Sequence, residues 1–257
     1  MTHAVECETL VHGLRVVRQS DWITHFPSLA QGLTARDAEF DFSLPQASDP
    51  TTAGLEPSPP ARSNGWVALL EATGIPRAAR CRQVHGSAVV HADLELEGVQ
   101  LVGEADGLVT DRVGVLLAVR VADCVPVFLV DDKRGTLGLA HAGWRGTAAG
   151  VVEATLERME SLGALRQSVY VHLGPSICKS CYEVGPEVFR ALGVGPPTSR
   201  FLDLRAVIAE RAVAAGLDEA RLSVSDACTR CETERYFSFR GGDRGQRMCA
   251  FLGWRAS

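Results

Sequence analysis

The chain has 257 residues, 46% of them hydrophobic and 22% charged, with a formal net charge of −5 at pH 7. That composition is an ordinary globular one, and its slight acidic excess excludes the basic footprint of a protein that binds nucleic acid or an anionic membrane. No apolar run approaches the roughly 20 residues needed to span a bilayer, and the opening MTHAVECETLVHG lacks the basic-then-apolar order of a secretory signal. A cytoplasmic location is therefore expected, with eight cysteines that serve as reduced thiols or metal ligands and form no disulfide framework.

In chain order, residues 10–18 read as a first strand and 26–36 as holding another. Residues 45–63 carry five prolines and read as a loop inside one domain spanning 1–257, because the 44 residues before it are few for a separate core. Residues 64–74 form a short helix closed by Gly74, and Arg82–Gly86 stands at the head of a strand. Residues 104–111 lead into a long apolar run, Val113 to Val130, with a break at Ala122–Asp123–Cys124. Asp131–Gly135 is turn chemistry, and Thr136 to Ala142 returns as the second arm of a hairpin. Beyond Gly143, Val152, Leu156 and Met159 recur at helical spacing opposite Glu153, Glu157 and Glu160. A strand at 168–173, a loop and short helix over 176–193, a helix capped by Asp203 and running to Ala215, and a strand at 221–226 follow. Residues 236–254 look like a closing hairpin. Strands alternating with about four helices make a mixed α/β or α+β domain.

The hairpin carries the first chemistry. Cys124 and His141 lie 17 residues apart with their midpoint inside the turn, which makes them cross-strand neighbours to within a residue of register, with Cβ atoms roughly 5 Å apart if directly opposite. That spacing suits two ligands of one metal ion, or a thiolate and its base. Adding His85 gives two imidazoles and a thiolate, a catalytic zinc set that leaves the fourth position open; the alternative is a buried cysteine with two hydrogen-bonded histidines. The turn at Gly143 entering a helix, together with Arg145, offers an anion site, or else an ordinary strand–turn–helix link. Asp123 fits a partner to the metal ligands, a general acid or a structural carboxylate. Arg240, with Arg244 and Arg247, either completes an anion site or is solvated. Cys178, Cys181, Cys228 and Cys231 form two C-x-x-C pairs, but 46 residues separate them, more than structural zinc knuckles use. They therefore read as free thiols in loops near a common pocket.

The combination is more specific than its pieces. QVHG at 83–86, ADGLVTD at 105–111, ADCVPV at 122–127 and HAGWRGTAAG at 141–150 are followed by GPSI at 174–177, CYEVG at 181–185, ACT at 227–229 and YFSFR at 236–240. Over roughly residues 75–254 the chain resembles the YfiH family of laccase-domain, polyphenol-oxidase-like proteins. The resemblance implies a single α-β-β-α layered domain, of the type shared with cytotoxic necrotizing factor, and a metal held by His85, Cys124 and His141. It implies a zinc-dependent enzyme that phosphorolyses adenosine, inosine or methylthioadenosine to base and ribose-1-phosphate and also deaminates adenosine. On that basis Cys124, His141 and Asp123 are the expected catalytic residues, with Asp123 as proton donor. Gly143, Arg145 and Arg240 are the expected binding residues for substrate and phosphate. The expected partners are a nucleoside and phosphate, with no nucleic acid or membrane, in a monomer or homodimer. Copper is less expected than zinc, since multicopper oxidases need about ten histidines and the chain has seven. Asn64–Gly65 and Arg240–Gly241 stand where the family usually has Asn-Arg and Arg-Arg. The rival readings are a Cys124–His141 amide hydrolase that edits a cell-wall precursor, and the polyphenol oxidase of the older family label.

Overall fold

Period-two alternation sorts the apolar residues of the central strands into separate cores. In the strand Val125–Asp131, Val127 and Leu129 belong to one buried cluster, while Phe128 and Val130 belong to another. Both faces of this strand are therefore covered, which explains why its sequence reads as an almost unbroken apolar run. The computed structural model describes residues 2–37, 40–42, 63–195 and 199–256. Two seven-stranded mixed sheets stack on each other. From edge to edge the first sheet runs Thr2–Ala4, Leu222–Ser225, Val169–Leu173, Val125–Asp131, Leu137–Ala142, Gly107–Thr110 and Val89–His91. The second runs Glu6–Val11, Leu14–Gln19, Leu29–Thr34, Met248–Trp254, Val115–Val121, Arg77–Arg82 and Gly98–Glu104.

Phe128, Leu137 and Leu139 of the first sheet meet Leu117, Val119 and Leu252 of the second in the inter-sheet core. The outer face of the first sheet packs against the helices Val151–Ser161, Pro186–Leu192 and Leu204–Ala214. The outer face of the second is covered by Trp66 and Leu69 of the helix Gly65–Thr73. The layers are thus α-β-β-α, as expected, and among the described residues no helix is long and apolar enough to cross a membrane.

Several elements differ from their sequence expectation for local reasons. Residues 10–18 are not one strand but straddle a hairpin, because His12 and Gly13 both take positive φ, 47° and 83°, the pair of values a tight two-residue turn requires. Arg82–Gly86 does not open a strand; it follows one, Arg77–Arg82, and leads towards the next, Val89–His91. The predicted helix beyond Gly143 is two, Trp144–Ala149 and Val151–Ser161, divided by Gly150 at φ 85°. The closing hairpin has only its second arm, Met248–Trp254. Its expected first arm is a knot of turns, since the Asp243 carboxylate accepts the Ser238 backbone N–H and pairs with Arg36. The proline-rich stretch 45–63 lies, apart from Ser63, outside the described residues.

Two expected features position the site. The break at residues 122–124 carries the chain from Val115–Val121 in the second sheet to Val125–Asp131 in the first. The hairpin to Leu137–Ala142 is present, but its loop spans four residues, Asp132 to Gly135, with Gly135 at φ 74°. This shifts the register, so that Pro126 pairs with His141, and Cys124 comes opposite Gly143, not His141.

Leu139 has no exposed surface and faces the inter-sheet core from the centre of this arrangement. Leu139→Ala is expected to lower unfolding free energy by about 2–5 kcal/mol without changing the denaturant slope. Urea unfolding measures both, and a loss below about 1 kcal/mol would show that the two sheets are not tightly interlocked there.

Candidate metal centre

Asp106 precedes the strand Gly107–Thr110 and is 1% exposed. Its Oδ1 lies 2.7 Å from His141 Nδ1, and its Oδ2 accepts the backbone N–H groups of Val84 at 3.0 Å and Gly86 at 2.8 Å. One buried carboxylate therefore fixes both the His141 ring and the loop that carries His85. The His141 backbone N–H also donates to the Asp106 carbonyl at 2.7 Å. With Nδ1–H given to Asp106, the other ring nitrogen of His141 is directed at Cys124. Burial would raise the Asp106 pKa, but the bonds from His141, Gly86 and Val84 outweigh it and hold the carboxyl below its ordinary value.

The His85 loop has a second tether. Gln83 Nε2 donates to the Arg120 carbonyl and Gln83 Oε1 accepts the Arg120 N–H, both at 2.8 Å. Between these two anchors His85 is held at φ 59°, a left-handed conformation that a side-chain-bearing residue keeps only when its surroundings over-determine it.

Cys124 is presented by a corner of the same kind. Asp123 stands at φ 85°. Its carboxylate accepts the Thr229 hydroxyl and the Arg240 backbone N–H, each at 2.7 Å, and its carbonyl accepts the Ile177 N–H at 3.1 Å. Three separate segments thus clamp this turn.

The result is a preset triangle. The ligand atoms of His85, Cys124 and His141 all lie within 4.8 Å of one another, and the two imidazoles meet edge to face with centroids 4.9 Å apart. Gly143 leaves the space: a Cβ there would sit 2.9 Å from Cys124 Sγ and 3.4 Å from His85 Cδ2. Its backbone is ordinary, with φ −81°, so glycine is needed for room and not for conformation. Burial pushes the Cys124 thiol up, but the charge of His141 and hydrogen bonds from both histidines bring it down to about 6. Burial likewise lowers His141, and the Cys124 thiolate together with Asp106 raises it to about 9. Without a metal, the pair is a thiolate beside an imidazolium.

The triangle opens into a cleft of about 500 Å³, within the range of small-molecule sites. Trp144, Tyr182 and Phe239 form aromatic walls, and Arg120, Arg145, Arg240 and Arg247 line it as well. The Arg145 guanidinium lies 4.4 Å from the Trp144 ring, and that of Arg240 lies 5.1 Å from the Tyr182 ring while donating to the Glu183 carbonyl at 2.8 Å. Arg244 is not in the lining but stacks on Phe239.

The structure gathers His85, Asp123, Cys124, His141, Gly143, Arg145 and Arg240 around one cleft. Asp123 lines the cleft, and each of its carboxylate oxygens accepts one hydrogen bond, from the Thr229 hydroxyl and the Arg240 backbone N–H, which brackets Arg240 beside it. Gly143 lies against Cys124 as the back of the triangle, and the helix it opens has only six residues. Sequence reasoning missed Asp106 and Gln83. The available signal was an acid set between Ala105 and Gly107 in front of a buried apolar strand, a place where a carboxylate needs partners.

The sequence model of the family described as multi-copper polyphenol oxidoreductase laccase matches residues 62–255. A purine nucleoside phosphorylase of Deinococcus radiodurans is 40% identical over 208 residues, covering 77% of this chain and 78% of that protein. Purine nucleoside phosphorylase YlmD of Geobacillus stearothermophilus is 38% identical over 196 residues, covering 68% and 71%. The crystal structure of YlmD from that organism superposes with a TM-score of 0.75 at 31% identity, covering 94% of this chain and 96% of its own. A protein named adenosine deaminase RL5, from an unknown prokaryotic organism, is 40% identical over 157 residues, covering 56% and 58%.

In protein kept metal-free with a chelator, iodoacetamide labelling of Cys124 is expected to be half-maximal near pH 6, with the thiolate present above that pH and lost below it. Asp106→Asn is expected to move the midpoint upward, because His141 loses the acceptor that holds its proton. Peptide mass spectrometry reads the label, and a wild-type midpoint near the ordinary thiol value of 9.0 would contradict the ion pair.

Proposed function

Because the chain belongs to the multi-copper polyphenol oxidoreductase laccase family, which includes the YfiH proteins, we propose that it is a zinc-dependent purine nucleoside phosphorylase. Its substrates on this reading are adenosine, inosine or methylthioadenosine, and it also deaminates adenosine. The observation that carries the proposal is the convergence of His85, Cys124 and His141 beside an aromatic-walled cleft lined by arginines. The donor set suits zinc: two imidazoles, one oriented by a carboxylate, and a thiol whose proton is already loosely held. The gap that a Cβ at Gly143 would fill is room for an ion. When bound, zinc supplies Lewis acidity for activating water or holding a substrate oxygen.

The remaining chemistry belongs to the chain. In phosphorolysis a phosphate oxygen bonds to the anomeric carbon of the ribose as the bond to the purine breaks, and the purine leaves with a proton. Arg145 and Arg240 offer planar, permanently charged forks that hold phosphate in line for that attack. Trp144, Tyr182 and Phe239 offer faces on which a purine stacks. Asp123 orients Arg240 through its backbone N–H and lines the same cleft, where it remains the expected proton donor to the departing purine. The partners are then a nucleoside and phosphate, in a cytoplasmic monomer or homodimer.

One observation favours a second reading. Asp106, His141 and Cys124 form a carboxylate–imidazole–thiolate relay, the arrangement of a cysteine hydrolase. Metal content separates the two, because a thiolate committed to zinc is a poor nucleophile. The polyphenol oxidase reading fits less well. Copper sites of that kind draw on several histidine clusters, and among the described residues only one metal-ligating group contains histidine.

The test is product analysis of purified protein incubated with adenosine, with and without phosphate. Adenine and ribose-1-phosphate are expected only with phosphate, and inosine is expected without it. His141→Ala is expected to reduce both by about 10²-fold or more. No turnover of adenosine, inosine or methylthioadenosine by zinc-loaded protein overturns the reading.

A further inference from the structure

The fold brings the two C-x-x-C pairs together. Cys178 caps the single turn Lys179–Cys181 and Cys181 ends it, and Cys228 and Cys231 lie in the turn that follows the strand Leu222–Ser225. The 46 residues between the pairs are occupied by two helices and that strand, which return the chain to its starting point. A parallel bridge between Ser176 and Cys228 closes the circuit, with the Thr229 N–H donating to the Ser176 carbonyl at 3.1 Å. The expectation of free thiols in loops near a common pocket rests on the 46-residue interval, and linear spacing is irrelevant once the bridge forms.

We propose that Cys178, Cys181, Cys228 and Cys231 bind a structural zinc ion, a second metal site distinct from the triangle of His85, Cys124 and His141. All four sulfurs lie within 4.8 Å of one another, with Cys178 and Cys231 at 4.0 Å and Cys181 and Cys231 at 3.4 Å. A zinc ion bound to four thiolates at about 2.3 Å places its sulfurs about 3.8 Å apart. The backbone is arranged for thiolates too: the N–H groups of Cys178 and Cys231 point at Cys228 Sγ from 3.3 and 3.4 Å. Such bonds stabilise a charged sulfur and orient it as a ligand. Four thiolates on a divalent ion leave two negative charges. Each knuckle carries a cation to offset them, Lys179 in one and Arg230 in the other, with Arg230 Nη1 also donating to the Cys181 carbonyl at 3.0 Å.

The location gives the ion its task. Thr229, inside one knuckle, donates its hydroxyl to Asp123, and Ile177, adjoining the other, donates its N–H to the Asp123 carbonyl. Tyr182, next to Cys181, is part of the cleft wall. The zinc thus staples together the two loops that hold the corner presenting Cys124. It is a closed site with no open coordination position, and its task is positioning.

The inference is independent of the nucleoside reading and is tested by metal content on the full chain. Protein expressed with zinc is expected to hold two equivalents, one for each ligand group. His85→Ala/His141→Ala protein is expected to keep one, and when loaded with Co(II) to show the intense visible absorption and thiolate charge-transfer bands of a tetrahedral four-sulfur site. Cys178→Ser/Cys231→Ser is expected to lose one equivalent and those bands. Should that variant fail to fold, wild-type protein supplies the readout: zinc is expected to shield all four cysteines from alkylation, and chelation to expose them together. Zinc-free His85→Ala/His141→Ala protein, or wild-type protein whose four thiols alkylate freely while zinc is bound, overturns the proposal. So does recovery of a Cys181–Cys231 disulfide from protein purified under reducing conditions.

Discussion

A single buried carboxylate organises this protein's chemistry. Asp106 is taken out of water and satisfied by three donors, one imidazole and two backbone N–H groups. A carboxylate buried without partners would be strongly destabilising, so the surrounding chain is committed to supplying them. Supplying them sets the His141 ring and the curve of the loop at His85 in one arrangement. The third corner, Cys124, depends on a second buried carboxylate, Asp123, at the point where the chain changes sheets. Both corners keep side-chain-bearing residues at positive φ, a conformational cost accepted where function asks for a fixed geometry.

The two-sheet architecture makes that geometry rigid. The strands on either side of Asp123 belong to different layers, share the inter-sheet core, and are held on their outer faces by separate ones. The corner between them cannot shift without moving both. The loops 177–182 and 228–240 close over it from the other side, with contacts to Asp123 and within the cysteine cluster. Positioning therefore spreads outward from the candidate centre in two shells, one of carboxylates and one of knuckles.

Much of this was legible in the residues, and what was not has physical reasons. The apolar hairpin, its break at 122–124 and the helix capped by Asp203 are local patterns, and they appear where the patterns place them. The register of the hairpin differs from expectation because its loop centres between Lys133 and Arg134, one residue beyond the midpoint of Cys124 and His141, and the composition of the turn does not fix its centre. His85, Cys124 and His141 are spaced 39 and 17 residues apart; the hairpin pairs Cys124 with His141, and the family resemblance raises the set with His85 above the alternative of a buried cysteine and two hydrogen-bonded histidines. Asp106 was invisible as a partner because its bonds reach residues 20 and 35 positions away. The cysteine cluster was hidden for a similar reason: its pairs are distant in the chain and adjacent only through the Ser176–Cys228 bridge.

The central claim is that His85, Cys124 and His141 hold a zinc ion, and crystallographic anomalous scattering tests it most directly. Crystals of zinc-loaded protein, measured on either side of the zinc absorption edge, are predicted to show an anomalous peak bonded to these three side chains. No peak at that position, with Cys124 carrying a covalent adduct after exposure to an amide-mimicking electrophile, would contradict the metal reading and make Cys124 a nucleophile.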